Sequence, residues 1–153
     1  MKRIALASLL VASTAVAQKV PSCPPAKGDP LFVIDHQVRS GLKGVTSKIE
    51  IYDGGAWIRT GADEDGKAQP VQVGCLDKDT LAKMRADIKG APWTVKHNRV
   101  HCMMVTSTFT VYSINGKEIF REMACNPDAL DDASAKSLTD LQAVLVTAKV
   151  PVK

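Results

Sequence analysis

The side chains that could do chemistry in this sequence are four cysteines and a pair of histidines. The cysteines are Cys23, Cys75, Cys102 and Cys125. An even number of cysteines in a small exported domain is typical of disulfides, so we expect all four to pair. We prefer Cys102–Cys125, because both residues lie near the open end of one predicted hairpin, and Cys23–Cys75 then follows by elimination. The alternative is that Cys75 pairs with Cys102 or Cys125 and pins the first helix to the sheet.

The histidines raise the question of a metal site. His97, His101 and Cys102 follow the pattern H-x3-H-C. On one strand the two imidazoles would point to the same side, where they could bind zinc. However, a disulfide-bonded Cys102 is not a thiolate ligand, and Asn98-Arg99 is typical of a turn that would break the register. We therefore expect solvent-facing histidines and keep His97 and His101 as metal ligands only for an alternative hypothesis.

No catalytic motif accompanies these residues. The sequence has no G-x-S-x-G element and no glycine-rich phosphate loop. The carboxylates of Asp63, Glu64 and Asp65 lie in a polar segment, which does not hold the geometry that acid–base chemistry needs. We predict a protein that is not an enzyme, with no catalytic residues and no cofactor.

The beginning of the chain predicts export. A basic start at residues 2–3 precedes an uncharged, apolar stretch over 4–16, and Ala15 and Ala17 fit the small residues of a cleavage site. These are the three regions of a secretory signal peptide, which we place at 1–17. We expect the mature protein to be secreted or periplasmic, where disulfides persist.

The composition is that of one globular domain. Of the 153 residues, 45% are hydrophobic and 24% are charged. A formal charge of +4 is too small to indicate a nucleic-acid partner. No apolar run is long enough to span a bilayer, so we expect no membrane partner after cleavage. After a proline-rich leader at 18–30, we predict a single domain over 31–153 that is monomeric.

The strands of this domain are indicated by alternating or β-branched runs. The glycine turn Asp53-Gly54-Gly55 joins two of these runs into a first hairpin, and Asn115-Gly116 is a strong signal for a second. The runs themselves cover residues 31–39, 46–53, 56–59, 100–114 and 117–124.

Two amphipathic helices complete the predicted fold. Asp77 is a natural N-cap for a helix over about 78–89, and Gly90 is a natural stop after it. Asp128, Asp131 and Asp132 precede a second helix, whose leucines form one apolar stripe that ends before Pro151. Because each element has one apolar side to bury, we predict an α+β fold. Its antiparallel sheet is built from two β-hairpins, both helices pack on one face, and disulfides staple the body.

The segment 60–74 is a candidate contact surface. It is long, polar and rich in glycine, and loops of this kind are often functional. It lies between the strand that carries Trp57 and the cysteine at 75. We expect partner-binding residues on and beside it: Trp57, Arg59, Asp63, Glu64 and Asp65.

The layout of the chain resembles that of a known family. A glycine-turn hairpin comes first, then a helix of the type D-x-x-x-L-x-x-M at 77–84. The hairpin F-T-V-Y-S-I-N-G-K at 109–117 and a terminal amphipathic helix follow. Over residues 45–147 this order resembles the emfourin-like proteins, small bacterial inhibitors of thermolysin-type metalloproteases. The resemblance implies a proteinase inhibitor, although no inhibitory residue can be placed on this sequence. The signal peptide, the leader and the cysteines depart from the family's pattern.

These observations together predict a secreted, disulfide-stabilised binding module that acts on a protein partner, in the first instance a proteinase inhibitor. One alternative is a metal-binding periplasmic protein that uses His97 and His101. Another is a structural component of the cell envelope or extracellular matrix.

Overall fold

The computed structural model describes residues 23–40, 43–97, 108–123 and 128–152. The signal peptide predicted at 1–17 lies outside these ranges. In chain order, the elements of the described residues are β1 (Phe32–Ser40), β2 (Lys43–Ile51), β3 (Ala56–Ala62), β4 (Gln72–Cys75), α1 (Lys78–Gly90), β5 (Val95–His97), β6 (Thr108–Ile114), β7 (Lys117–Met123), β8 (Asp128–Leu130) and α2 (Asp132–Thr147).

Six of these strands form one antiparallel sheet in the order β4-β3-β2-β1-β6-β7, and β5 pairs with β8 separately. The predicted α+β class is confirmed, with its antiparallel sheet and two helices. The main sheet is larger than two hairpins, because β1 and β4 join β2–β3 and β6–β7. The four residues of β4 carry little apolar character. Only their pairing with β3 makes them a strand.

The core lies on one face of the main sheet, which we call the helix-side face. Phe32 pairs with Ile51 on one side and with Ile114 on the other, and all three side chains are buried. Such cross-strand apolar neighbours are the unit of sheet stabilisation. Buried side chains of both helices join the same cluster: Leu81 and Met84 of α1, and Leu138, Leu141 and Leu145 of α2.

Each helix begins after an aspartate that caps it. The carboxylate of Asp77 accepts a hydrogen bond from the backbone N–H of Thr80 at 2.8 Å, which confirms the predicted N-cap. The carboxylate of Asp131 accepts one from the N–H of Ser134 at 2.7 Å. Both contacts satisfy backbone donors that a helix start leaves unpaired.

The helix ends differ from the sequence expectation. Gly90 is the last residue of α1 rather than a left-handed stop, and Ala91 follows it in an extended conformation. After α2, Lys149 has φ 58° and the N–H of Val150 bonds the carbonyl of Leu145 at 2.9 Å. This Schellman motif ends the helix and returns a buried Val150 to the core. Neither of these helices is long and apolar enough to cross a membrane.

The β6–β7 hairpin contains a bulge. Its turn at 115–116 has left-handed φ values of 48° and 75°, as an Asn-Gly turn requires. The pairing set by that turn shifts by one residue beyond Ser113, where Tyr112 faces Phe120 and Ile119 is the extra residue. The two residues Ile119 and Phe120 of β7 therefore take the place of one residue in a regular ladder.

Candidate functional site

The most distinctive local feature is the cystine at one edge of the main sheet. Cys23 and Cys75 form a disulfide whose Cα atoms are 5.8 Å apart, a usual separation for such a bridge. The bridge ties the leader to the last residue of β4. The preferred second pair, Cys102 and Cys125, lies outside the described residues and remains a prediction.

The leader packs against the strands that it is tied to. A Cβ atom on Gly54, in the β2–β3 turn, would lie 3.1 Å from Cβ of Pro24. Pro24 and Pro25 line a cavity of about 180 Å³ together with Trp57 and Val73. The cystine and the prolines therefore hold the leader on the outer strands of the sheet. We call this region, with β3, β4 and the chain between them, the stapled edge.

Trp57 lies within the stapled edge and packs against its outer strand. It pairs with Gly74 across β3 and β4, and a Cβ atom at position 74 would come within 2.5 Å of the indole ring. The ring is half-buried and packs against the core cluster. Trp57, which the sequence predicted as a contact residue, therefore packs between the core and the outer strand β4.

Arg59 lies on the same sheet face as Trp57, two residues further along β3. Its Nε donates a hydrogen bond to Oγ of Ser47 on β2 at 3.1 Å, and its Cα pairs with that of Ile49. The side chain is half-buried. Arg59 and Trp57 thus share one face of a single strand.

The predicted acidic residues occupy a closed turn after β3. Oδ1 of Asp63 accepts hydrogen bonds from the N–H groups of Asp65 at 3.1 Å and of Lys67 at 3.0 Å. The N–H of Asp63 also bonds the carbonyl of Lys67 at 3.0 Å, and Gly66 supplies the left-handed φ of 77°. Glu64 and Asp65 are exposed in this turn. The five predicted contact residues therefore divide between a sheet face and a turn.

The loop between β3 and β4 is shorter than the polar segment 60–74 that the sequence indicated. Residues 60–62 belong to β3 and residues 72–74 to β4, and Ala62 pairs with Ala68 in an isolated bridge. The connection without strand structure is 63–71. Asp63 closes its first half by hydrogen bonding to the backbone.

The exposed valines of this edge were missed by the sequence analysis. Val71 is 61% exposed and Val73 is 49% exposed. The alternation of Val71-Gln72-Val73 was the signal that could have indicated a strand there. Since Glu64, Asp65 and Lys67 are exposed in the neighbouring turn, the edge offers apolar and charged groups together.

Two hydrogen bonds fix the path of the chain from this edge into α1. The N–H of Leu76 bonds the carbonyl of Gly55 at 2.8 Å, directly after the cystine. The hydrogen bond from the N–H of Thr80 lowers the pKa of Asp77, which keeps this N-cap ionised. The cystine, the backbone bond and the cap follow within three successive residues.

The predicted histidines lie elsewhere. Nδ1 of His97 is 2.5 Å from Oδ1 of Asp128, its partner across β5 and β8, and the imidazole is exposed. His101 falls outside the described residues. Among the residues that are described, no group of three or more His, Cys, Asp or Glu side chains is placed to hold a metal ion.

Comparison of the chain with protein-family models, with curated proteins and with solved structures finds no match. The fold and the cystine therefore define its class by themselves: a disulfide-containing α+β protein with a six-stranded antiparallel sheet.

Proposed function

We propose that this protein is an exported binding module whose stapled edge contacts a protein partner, and that it acts as a proteinase inhibitor. The observation that supports this proposal most directly is that the connection 63–71 is restrained at both ends. Asp63 closes the turn at its start, and the Cys23–Cys75 bridge holds the strand at its end.

Restraint favours binding because a loop that is already ordered loses less entropy when it meets a partner. Strand pairing, the turn and the cystine all limit the conformations of this connection in the free protein. Val71 and Val73 contribute exposed apolar surface, and the turn contributes charge. That combination suits a protein surface better than a small polar molecule.

The disulfide between Cys23 and Cys75 supports the proposal that the protein is exported. A disulfide between residues separated by 52 positions suits an oxidising compartment, to which the predicted signal peptide would direct the chain. A proteinase is the proposed partner because the order of elements in this sequence resembles that of the emfourin-like inhibitors. Thermolysin-type metalloproteases are therefore the first targets to test.

The direct experiment is inhibition of a panel of thermolysin-type and serine proteases by the purified, oxidised protein. We expect one of the metalloproteases to be inhibited at micromolar concentration. Removing residues 64–66 should abolish the inhibition. If wild-type protein inhibits no member of the panel at that concentration, the proposal of a proteinase inhibitor is rejected.

A matched pair of variants tests whether the closed turn matters. Asp63→Ala removes the acceptor for the N–H groups of Asp65 and Lys67, so the connection gains freedom and the inhibition constant should rise by about tenfold. Asp140→Ala makes the same change of charge on α2, where the carboxylate pairs with Lys136. It should leave inhibition unchanged. Equal effects of the two variants would contradict the assignment of the contact surface.

A further inference from the structure

A row of polar side chains crosses the helix-side face at the margin of the core. His36 of β1 pairs with Ser47 on one side and with Thr110 on the other, and Thr110 in turn pairs with Glu122 of β7. Residues that oppose one another in antiparallel strands point to the same face. We call Ser47, His36, Thr110 and Glu122 the polar row.

The row directly beside it is apolar and belongs to the core. Ile34 pairs with Ile49 and with Tyr112, which pairs with Phe120. The ring centroids of Tyr112 and Phe120 are 6.5 Å apart in a stacked arrangement. The helix-side face therefore changes from apolar to polar between two neighbouring rows of side chains, and the hydroxyl group of Tyr112 lies at this boundary.

A cavity of about 630 Å³ lies over this change of polarity. His36, Thr110 and Glu122 of the polar row line it, and so do Ile34 from the sheet and Val146 from α2. The C-terminal segment contributes Val152 to its wall. Volumes of this size, with apolar walls and a few convergent polar groups, are typical of small-molecule sites.

Hydrogen bonds orient the polar groups of the cavity. Nε2 of Gln142 donates to the hydroxyl of Tyr112 at 2.9 Å, and that hydroxyl donates to Oε2 of Glu122 at 3.0 Å. Burial raises the pKa of Tyr112, and the charge of Glu122 raises it further, so the phenol remains a donor. Nδ1 of His36 and Oγ1 of Thr110 are 2.9 Å apart. One carboxylate oxygen of Glu122 and Nε2 of His36 carry no hydrogen bond to another described residue.

We propose that this cavity binds a primary alkylammonium ion, with the ammonium group on the Glu122 carboxylate and the alkyl chain along Ile34, Val146 and Val152. Charge is the reason for this choice of ligand. Glu122 is the only Asp, Glu, Lys or Arg among the described residues that line the cavity. A cation would gain a charge-assisted hydrogen bond there, whereas a carboxylate of the same chain length would meet repulsion.

This site lies apart from the stapled edge and does not depend on the proposed inhibition. The polar row runs from β2 through β1 and β6 to β7, whereas the cystine joins the leader to β4 at the opposite margin of the sheet. A ligand in the cavity would therefore be a second binding activity of the same fold.

The test compares three ligands that share one alkyl chain: octylammonium, octanoate and 1-octanol. Binding to the oxidised protein is followed by amide shifts in two-dimensional NMR and by calorimetry at neutral pH. We expect octylammonium to bind at least about tenfold more tightly than octanoate, with shifts centred on His36, Thr110 and Glu122. Absence of octylammonium binding, or equal binding of octanoate, would overturn the proposal.

Three variants separate the effect of the Glu122 charge from that of the apolar walls. Glu122→Gln should weaken octylammonium binding by about tenfold and leave 1-octanol unaffected. Glu118→Gln makes the same change on the same strand, but Glu118 opposes Ser113 on the other face and pairs with Arg121, so it should have no effect. Val146, which lines the cavity, is 61% exposed. Val146→Ser should lower the affinity for all three ligands by a similar factor. Equal losses in the two glutamate variants would refute the placement of the ammonium group.

Discussion

The indole of Trp57 lies on the backbone of Gly74, its partner on the neighbouring strand. A Cβ atom at position 74 would lie 2.5 Å from two carbon atoms of that ring, Cε2 and Cζ2, and 2.7 Å from its nitrogen. The outer strand β4 therefore reaches its place only because residue 74 has no side chain. This contact joins the core to the stapled edge.

Gly74→Ala should consequently destabilise the protein by about 1–3 kcal/mol, because the methyl group forces the packed indole to move. Urea unfolding followed by circular dichroism measures the change. Gly90→Ala is the matched control, since a Cβ atom there meets nothing within 4 Å and alanine is the better helix former. The Trp57→Ala background should remove most of the effect of Gly74→Ala, and additive effects would show that the clash is not its cause.

A second prediction concerns the buried hydroxyl of Ser134 in α2. Its Oγ accepts a hydrogen bond from the N–H of Thr94 at 3.1 Å, and the residue is fully buried. Ser134→Ala leaves that N–H without its acceptor, so the free energy of unfolding should fall by about 1–2 kcal/mol. Ser137→Ala, one turn further on the same helix, should change it by less than about 0.5 kcal/mol. Hydrogen exchange at the Thr94 amide should become faster only in the first variant.

The cystine predicts a large and specific loss of stability. Replacing both Cys23 and Cys75 by Ser frees a loop defined by a sequence separation of 52, which the chain-entropy argument values at about 4 kcal/mol. Urea unfolding under oxidising conditions measures it. Peptide mapping without reduction should recover the peptides of Cys23 and Cys75 joined. A peptide that joins Cys75 to Cys102 or Cys125 would contradict this pairing and favour the alternative connectivity.

The two helix caps predict an acid-dependent stability. Hydrogen bonds from the N–H groups of Thr80 and Ser134 lower the pKa of Asp77 and Asp131 below their ordinary value of 3.8. A carboxyl whose pKa is lower in the folded state stabilises that state above its unfolded pKa and loses this effect as the pH falls through the folded value. The contribution of the caps should therefore be complete above about pH 4 and should be lost progressively as the pH falls from there through the lower pKa values of the folded state.

Urea midpoints between pH 7 and pH 2 test this sign. The Asp77→Ala, Asp131→Ala double variant should be destabilised at neutral pH, and at least about half of its difference from wild type should vanish at pH 2. Asp132→Ala removes a carboxylate from the first turn of α2 without removing its cap, so its profile should run close to that of wild type. A double variant whose difference from wild type stays constant with pH would rule out the caps as the cause.

Local signals in the sequence predicted the elements that need no distant partner. Asp77 and the spacing of Leu81 and Met84 predicted α1 to within one residue at its end. Asn115-Gly116 predicted the β6–β7 turn, because few other residues adopt two successive left-handed conformations. Features of this kind depend on neighbours within a few positions.

Features that depend on distant pairing were missed. Strand β4 has little apolar content, and only its ladder with β3 makes it a strand. The length of the polar segment was overestimated for the same reason. The same holds for the sites. The number of cysteines indicated Cys23–Cys75 as one option, whereas the cavity combines His36, Thr110 and Glu122 from three separate strands. No spacing in the sequence brings such residues together.

The bulge at Ile119 decides which sign of charge the cavity receives. Had the register set by the turn continued, Thr110 would face Arg121, and a guanidinium group would occupy the floor of the cavity instead of a carboxylate. The extra residue exchanges the two faces of β7, so that Glu122 enters the cavity while Arg121 lies over Phe109 on the far side. One inserted residue in the hairpin thus determines the sign of the charge in the cavity. Its deletion would convert a cavity that attracts cations into one that attracts anions.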